Sequence, residues 1–470
     1  MKYNLILVIN LIFFSSIECQ VNYFSKYVEM GSEIVPTIAM CEDPVSSEIY
    51  WAIPGKENGI SFTIFKHLNS EGEELASVQI PNESKIGEFD LFRTSYLMYL
   101  EKDTLFLYGL SWREGSFGYF VSKLNKYFDI ISSDFYPISF ESPIPGNIEQ
   151  FGDEVYSVTA NSNNNQIDSI YCIKFNKNGM KIKEVYTSNK YNTQTFKISD
   201  LAENLSKDSL FLMDGRNLIS IDKKTLNFKK VKTISSIELG YESKNSILLT
   251  SEVSFSNDTI YTLKKYDLNN YQLEKSKNVG VKNIFGFHHL ANFNAIQFST
   301  DSTFYFTGFS RSSSDSGSTI FIGKYDIGLN RIFELFVPSL DKNYYAYSSL
   351  ATTDGGLLLT GTYDNANTNK RGSFLWKIGK NGEFGTLSKS HPTGKSNLNL
   401  RPSFASNQIT VVLLKSGLAR IFSIDGQLHM IKFLENGNNS IDISSLSSGV
   451  YFISVESENR NYQIGKFVKN

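Results

Sequence analysis

Through the middle of the chain, apolar and polar residues alternate over runs of five to ten positions, and these runs come in pairs. The second run of each pair has a recurring form, usually with a lysine near its end and then Asn, Asp or Gly. The copies are 62–68 (FTIFKHL), 118–125 (GYFVSKLN), 170–176 (IYCIKFN), 218–222 (LISID), 260–267 (IYTLKKYD), 320–326 (IFIGKYD) and 374–379 (FLWKIG). Each is preceded by another strand-like run: 48–53 in the first copy, then 103–111, 153–159, 208–213, 246–251, 302–310 and 355–362. Such alternation reads as half-buried strand, and self-similarity at a spacing of roughly fifty residues reads as a repeat architecture. Polar tips such as 176–179 (NKNG) and 379–382 (GKNG) suit a hairpin into a further, outer strand.

Seven copies of about four strands each predict an all-β, seven-bladed β-propeller, with the repeats running from about Ser32 to Ser388. A solenoid needs a shorter and steadier period, and tandem sandwiches need about twice the residues per unit. Small residues recur toward the far end of the first run of each pair, as in LLLTGT at 357–362. That pattern is expected where strands crowd a narrow axis.

The last seventy residues break the repeat. Residues 419–424 form a β-rich run closed by Asp425-Gly426, a dipeptide that accepts the positive φ of a tight hairpin, and 428–432 continue it. A short strand at 441–443 leads into a compact turn at 444–448. Gly449 then opens VYFISV at 450–455, apolar on both faces and so expected at the centre of a sheet. Residues 459–461 turn the chain into a final strand at 462–468. About six short strands predict a small immunoglobulin-like β-sandwich following the propeller.

At these residues the chain resembles the C-terminal sorting domain of the type IX (Por) secretion system of Bacteroidetes. The resemblance rests on I-x-x-x-D-G-Q at 421–427, IDISSLSSGVYFISV at 441–455 and the basic last strand GKFVK at 465–469. It implies export, recognition by the type IX secretion machinery, and Asp425, Gly426, Leu446, Gly449, Tyr451, Lys466 and Lys469 as sorting-signal residues. Members of that family open on a Pro-Asn-Pro segment, whereas this chain has Arg401-Pro402-Ser403. Residues 353–362 and 374–377 also resemble blade sequences of propeller-like cargo from the same bacteria.

A signal at the other end is consistent with this route. Lys2 supplies the charge, 5–14 the apolar segment and 15–19 a polar exit, so 1–19 reads as a signal peptide. A lipidated Cys19 is the alternative, opposed by the charge of Glu18 directly before it. The expected organisation is a signal peptide at 1–19, a propeller at 20–390, a linker at 391–404 and the sorting sandwich at 405–470. The protein is then secreted or attached to the outer-membrane surface, with no transmembrane segment after signal removal.

Composition narrows the function. The chain is 41% hydrophobic and 14% aromatic, enough for an extensive core, and its net charge of -2 provides no electrostatic footprint for nucleic acid. Cys41 and Cys172 are no disulfide framework, and pairing them would require Cα atoms within about 7 Å.

Candidate chemistry is sparse. His67, His288, His289, His391 and His429 form no zinc spacing, and adjacent residues on a strand point opposite ways. Ser313-Ser314-Asp315-Ser316-Gly317-Ser318-Thr319 matches a single sialidase Asp box, without the repeats or arginine cluster that accompany such boxes. Asp153-Glu154 and Asp90 read as solvated turns, and 161–166 (NSNNNQ) as a polar loop tip that could also meet sugars. Asp103, Asp168, Asp208, Asp258 and Asp301 begin triplets that resemble bacterial O-glycosylation acceptors and equally suit turns entering strands. No catalytic, metal or cofactor site is assigned. The expected function is a non-catalytic surface or secreted binding protein with a glycan or surface-protein ligand; the alternative is a secreted carbohydrate-active hydrolase at the channel mouth.

Overall fold

A computed structural model of the 470-residue chain describes residues 23–30, 33–34, 39–57, 60–81, 97–113, 115–140, 143–163, 166–188, 201–204, 206–214, 217–233, 240–244, 247–253, 261–279, 287–290, 294–311, 318–339, 342–365, 370–384, 396–402, 404–413, 415–423, 428–457 and 462–470. Among them every regular element is a strand. From Phe24 to Ile378 the described strands form seven antiparallel sheets of four or five strands each.

One sheet illustrates the unit: Pro143–Phe151, Glu154–Asn163, Gln166–Asn176 and Lys181–Ser188 lie side by side in chain order. Burial is graded across a unit. The third strand of the sixth sheet, Ser318–Asp326, is buried at all but its last position, whereas the outer strand Glu74–Pro81 of the first is mostly exposed. Third strands are apolar on both faces because a neighbouring sheet covers each face.

The recurring Asn or Asp closes the hairpin from third to outer strand. Asn69, Asn125, Asn176, Asp222, Asp267 and Asp326 each accept at least one backbone N–H from their own turn, as in Asn125 with Tyr127 (2.9 Å) and Asp129 (3.0 Å). These are Asx turns, in which a side-chain oxygen replaces a backbone acceptor. In the seventh copy Gly379 holds the position and Glu383 takes over, accepting the N–H of Asn381 at 3.0 Å.

Each hairpin also receives the preceding sheet. Tyr99 donates to the carbonyl of Lys177 (2.6 Å), Lys174 to that of Lys223 (3.2 Å), Lys277 to that of Leu329 (2.8 Å) and Lys324 to that of Lys380 (3.0 Å). At Gly72, Gly179 and Gly382 φ is positive, and an added Cβ would press on Phe24, Val121 and Phe333, respectively. All three contacts come from the sheet before. For Gly72 that sheet is the seventh, because Phe24–Met30 pairs with Lys370–Ile378 as its outer strand. The inner strands touch in sequence: Ala39–Glu42, Leu97–Glu101, Pro143–Phe151, Leu201–Glu203, Gly240–Lys244, Ile296–Phe298 and Lys342–Ala351, the last touching the first.

Two sequence expectations change. The repeats read from Ser32 onward begin earlier, at Phe24, since the seventh sheet takes its outer strand from there. The strands rich in small residues are second in their sheets, with an inner strand before each, shorter than its neighbour in all but the seventh. Their small side chains serve the seams between sheets. Ser157 donates to the Tyr119 hydroxyl of the preceding sheet at 2.9 Å, and a Cβ at Gly361 would lie 1.9 Å from the carbonyl oxygen of Tyr345 in its own sheet.

The tail has two sheets. Asn399–Arg401, Gln408–Leu413 and Gly437–Asp442 make the smaller one. In the larger, Leu428–Leu434, Gly417–Ser423, Gly449–Ser457 and Tyr462–Lys469 run in that spatial order, with Ser396–Asn397 and Phe404–Ala405 parallel to the last. Ile409, Val411 and Ile441 from one sheet share a core with Ile421, Ile453 and Phe467 from the other. Gly449–Ser457 is central, as expected, but only one face is buried: Ile453 is sealed while Phe452 is 36% exposed. Ser396–Asn397, Asn399–Arg401 and Phe404 lie within 391–404 yet belong to these sheets, so that segment is not simply a linker.

Candidate functional site

Inner strands and their adjoining turns line a half-open cavity of about 380 Å³. Its wall comes from five of the seven sheets: Ala39–Glu42, then Leu97, Met98 and Tyr99, then Asn147 to Gln150, then Gln297, then Ser348 to Ala351. Amides and hydroxyls dominate the polar part, through Asn147, Gln150, Asn294, Gln297, Ser348 and Ser349. Among the described lining residues there is no Lys or Arg, and Glu42 and Glu149 contribute the carboxylates.

The two carboxylates are held differently. Glu149 accepts from the Asn147 amide at 3.0 Å. One oxygen of Glu42 accepts the N–H of Thr353 at 2.7 Å, and the other is buried without a hydrogen-bond partner. Burial pushes the Glu42 carboxyl above its usual range, against the opposing effects of the Thr353 N–H and the Lys377 charge. Lys377 is fully buried and pairs with Asp354 at 2.9 Å beside this seam. Tyr99 in the wall is already engaged: its hydroxyl donates to Lys177, and its ring stacks on Phe106.

Apart from Cys41, the sequence did not single out these lining residues. They sit on inner strands and adjoining turns from five parts of the chain, so no local motif unites them; a polar pair such as Ser348-Ser349 within an aromatic-rich strand was the available signal.

The residues the sequence did single out are dispersed. His67 donates through Nε2 to the Glu48 carboxylate at 2.9 Å and stacks on Tyr50, a structural role. Asp153 pairs with Lys177 (3.2 Å) and Glu154 with Lys174 (2.6 Å), at a turn and at its following strand. Asp103 sits in a two-residue turn between strands, and Asp208 receives hydrogen bonds from Asn204 and Ser209. Cys41 and Cys172 are both buried and unpaired, in separate core clusters; burial raises both thiols, Cys172 to about 12. His288 and His289 fall on the described strand Phe287–Leu290, but their side chains lie outside the described set, as do His391, Asp90, the residues read as a signal peptide and the core of the Asp-box match. Among the described residues no three His, Cys, Asp or Glu converge as a metal site would require.

In the tail, Leu446 and Tyr451 are core residues, 7% and 4% exposed. The Tyr451 hydroxyl donates to the carbonyl of Ser447 at 2.9 Å, tying the turn to the strand, and its ring stacks on Phe467. Gly449 begins the central strand. Lys466 is exposed, and Lys469 reaches the carbonyl oxygen of Asn470 at 2.8 Å. Asp425 and Gly426 lie outside the described residues. Residues 400–470 match the family described as "Secretion system C-terminal sorting domain". The tail is a type IX sorting domain.

That sorting domain marks the protein for the cell surface or for secretion, and it implies recognition by the type IX machinery. No helix among the described residues is long and apolar enough to cross a membrane. No curated protein matches the chain. Among solved structures, the extracellular domain of a protein described as a hybrid two-component system from B. thetaiotaomicron is similar at 11% identity with a TM-score of 0.44. The match covers 96% of this chain and spans 60% of that one.

Proposed function

We propose that the protein is a non-catalytic binding protein of the cell surface or medium. Its body is one closed seven-bladed propeller, its tail has an immunoglobulin-like fold, and its ligand is a small neutral glycan held at the propeller axis. Two observations support closure. Phe24–Met30 completes the sheet containing Lys370–Ile378, and Phe24 meets the first sheet's Gly72 hairpin as Val121 meets Gly179. The observation that carries the ligand reading is the wall of the cavity. Amides and hydroxyls there can donate to and accept from sugar hydroxyls, and with no Lys or Arg among its described residues the wall offers an anion no counter-charge there.

Glu42 and Glu149 favour a second reading, a glycoside hydrolase, because burial holds Glu42 toward the protonated form that a general acid needs. One experiment separates the two. Residues 20–395 are titrated calorimetrically with a panel of neutral oligosaccharides and assayed for release of reducing ends. Saturable binding without turnover, weakened by Gln297→Leu, is expected. Turnover abolished by Glu42→Gln and Glu149→Gln replaces the binding reading with the hydrolase, and neither binding nor turnover on the panel removes the glycan.

A further inference from the structure

The larger tail sheet has two faces, and only one is covered. Strand register defines the other. Phe422 pairs with Phe452, which pairs with Lys466; Arg420 lies one step along the same face, Leu418 pairs with Phe433, and Phe404 pairs with Val468 at the other end. Residues paired across a sheet share a face and alternate positions share it along a strand, so four phenylalanines and two cationic side chains project to one side.

The opposite alternation buries Ile421, Ile453 and Phe467 in the shared core. On the outward side Phe404, Phe433 and Phe452 are 66%, 47% and 36% exposed. Exposed aromatics gathered on one face with arginine among them have the composition of a protein-binding surface, not of an ordinary solvated sheet.

We propose that this face is where the secretion machinery grips the tail, through an apolar groove on the receptor with an acidic rim facing Arg420 and Lys466. The inference rests on the tail being a sorting domain, which must present some surface to that machinery. It also divides the sequence-derived signal residues: Leu446 and Tyr451 build the domain, whereas Lys466 stands on the surface that is read. Lysine and arginine supply complementarity and encounter rate at such a surface, and the aromatics supply desolvated contact area.

The test uses the full chain expressed in a type IX-competent host, with surface or medium protein compared with periplasmic protein. Phe433→Ser with Phe452→Ser is expected to lower export at least tenfold and accumulate periplasmic protein of unchanged circular dichroism and protease resistance. Lys466→Glu should lower export as well, while Tyr127→Ser, at a 66% exposed aromatic of the body, should leave it unchanged. A chain ending before residue 400 must be retained; if it is exported, the sorting reading itself fails. If it is retained while the folded double variant leaves the cell normally, only the proposed face is overturned. A wild-type dimer in light scattering that the double substitution dissociates, with export unaffected, reassigns the face to a contact between copies and likewise overturns the proposal.

Discussion

Trp51 of the first sheet donates its indole N–H to the Thr360 hydroxyl of the seventh at 3.1 Å, and both side chains are sealed from solvent. The hydroxyl in turn donates to the carbonyl of Phe374 at 2.8 Å. This bond spans the join between the two ends of the repeat. Thr360→Val should therefore leave a buried donor unsatisfied and cost about 1–3 kcal/mol. Denaturant midpoints of Trp51→Phe, Thr360→Val and the double variant check it. The double variant should lose clearly less than the sum, and strict additivity would mean that the bond contributes nothing.

Removing residues 24–30 should be far more damaging than an ordinary terminal trim. It strips the outer strand from Lys370–Ile378 and uncovers an unpaired edge, a template for aggregation. Phe24→Ala alone should cost about 3 kcal/mol, because the ring is 7% exposed and packs on Gly72. Thermal melts and size-exclusion profiles of the two variants measure this. A truncated chain that melts like the parent would remove the strand from the closure.

The Lys377–Asp354 pair predicts an asymmetric outcome. Asp354→Asn leaves a fully buried ammonium without its partner and should cost about 3 kcal/mol, whereas Lys377→Met should cost much less. Burial alone would push the Asp354 carboxyl up, but hydrogen bonds from Thr352 and Lys377 outweigh it and hold it below its usual range. A depressed carboxylate stabilises the fold above its unfolded pKa, and that stability is lost as pH falls through the folded value. Stability measured between about pH 5 and pH 2 should accordingly fall more steeply in the parent than in Asp354→Asn.

Glu42 has the opposite sign. Burial raises its folded pKa, so ionised Glu42 weakens the fold at neutral pH and the weakening disappears once the group is protonated in both states. Glu42→Gln should therefore raise the denaturation midpoint at pH 7 and leave it unchanged near pH 3. A loss at pH 7 would mean that its contact with Thr353 outweighs the burial of charge.

Tyr451→Phe removes one hydrogen bond from the tail and should cost about 1 kcal/mol, with little effect on export. Residues 395–470, fused behind a reporter that carries a Sec signal, should take it across the outer membrane of a type IX-competent host. Periplasmic retention of a folded fusion would show that the tail is insufficient.

The third strand of each repeat was the most legible element. FTIFKHL and IFIGKYD are long apolar runs ending at an Asn or Asp whose side chain builds the hairpin, so the sequence and the turn chemistry agree. The inner strands were not legible. Leu201–Glu203 and Ile296–Phe298 are three residues each, too short for any periodicity to register, while Pro143–Phe151 and Lys342–Ala351, which supply much of the cavity wall, are longer but lack a clean apolar alternation. Phe24–Met30 was missed for a different reason: its partner lies at the far end of the body, and a lone strand gives no sign of what it pairs with. One available clue was the lack of a strand-like run immediately after the 379–382 turn. In the tail the strands and the central position of Gly449–Ser457 could be read, but not its open face, since apolar residues on both sides of a strand do not show whether both are covered.

The strand Phe24–Met30 also places the steps of biogenesis in time. It is synthesised long before Lys370–Ile378, yet it can be seated only when that strand has followed it. Until then the seventh sheet lacks its outer strand, and Ala39–Glu42 lacks its contact with Lys342–Ala351. The sorting tail follows both strands, so every strand of the seven sheets precedes the Phe452 surface in the chain. When that surface is made, the partner that Phe24–Met30 needs already exists.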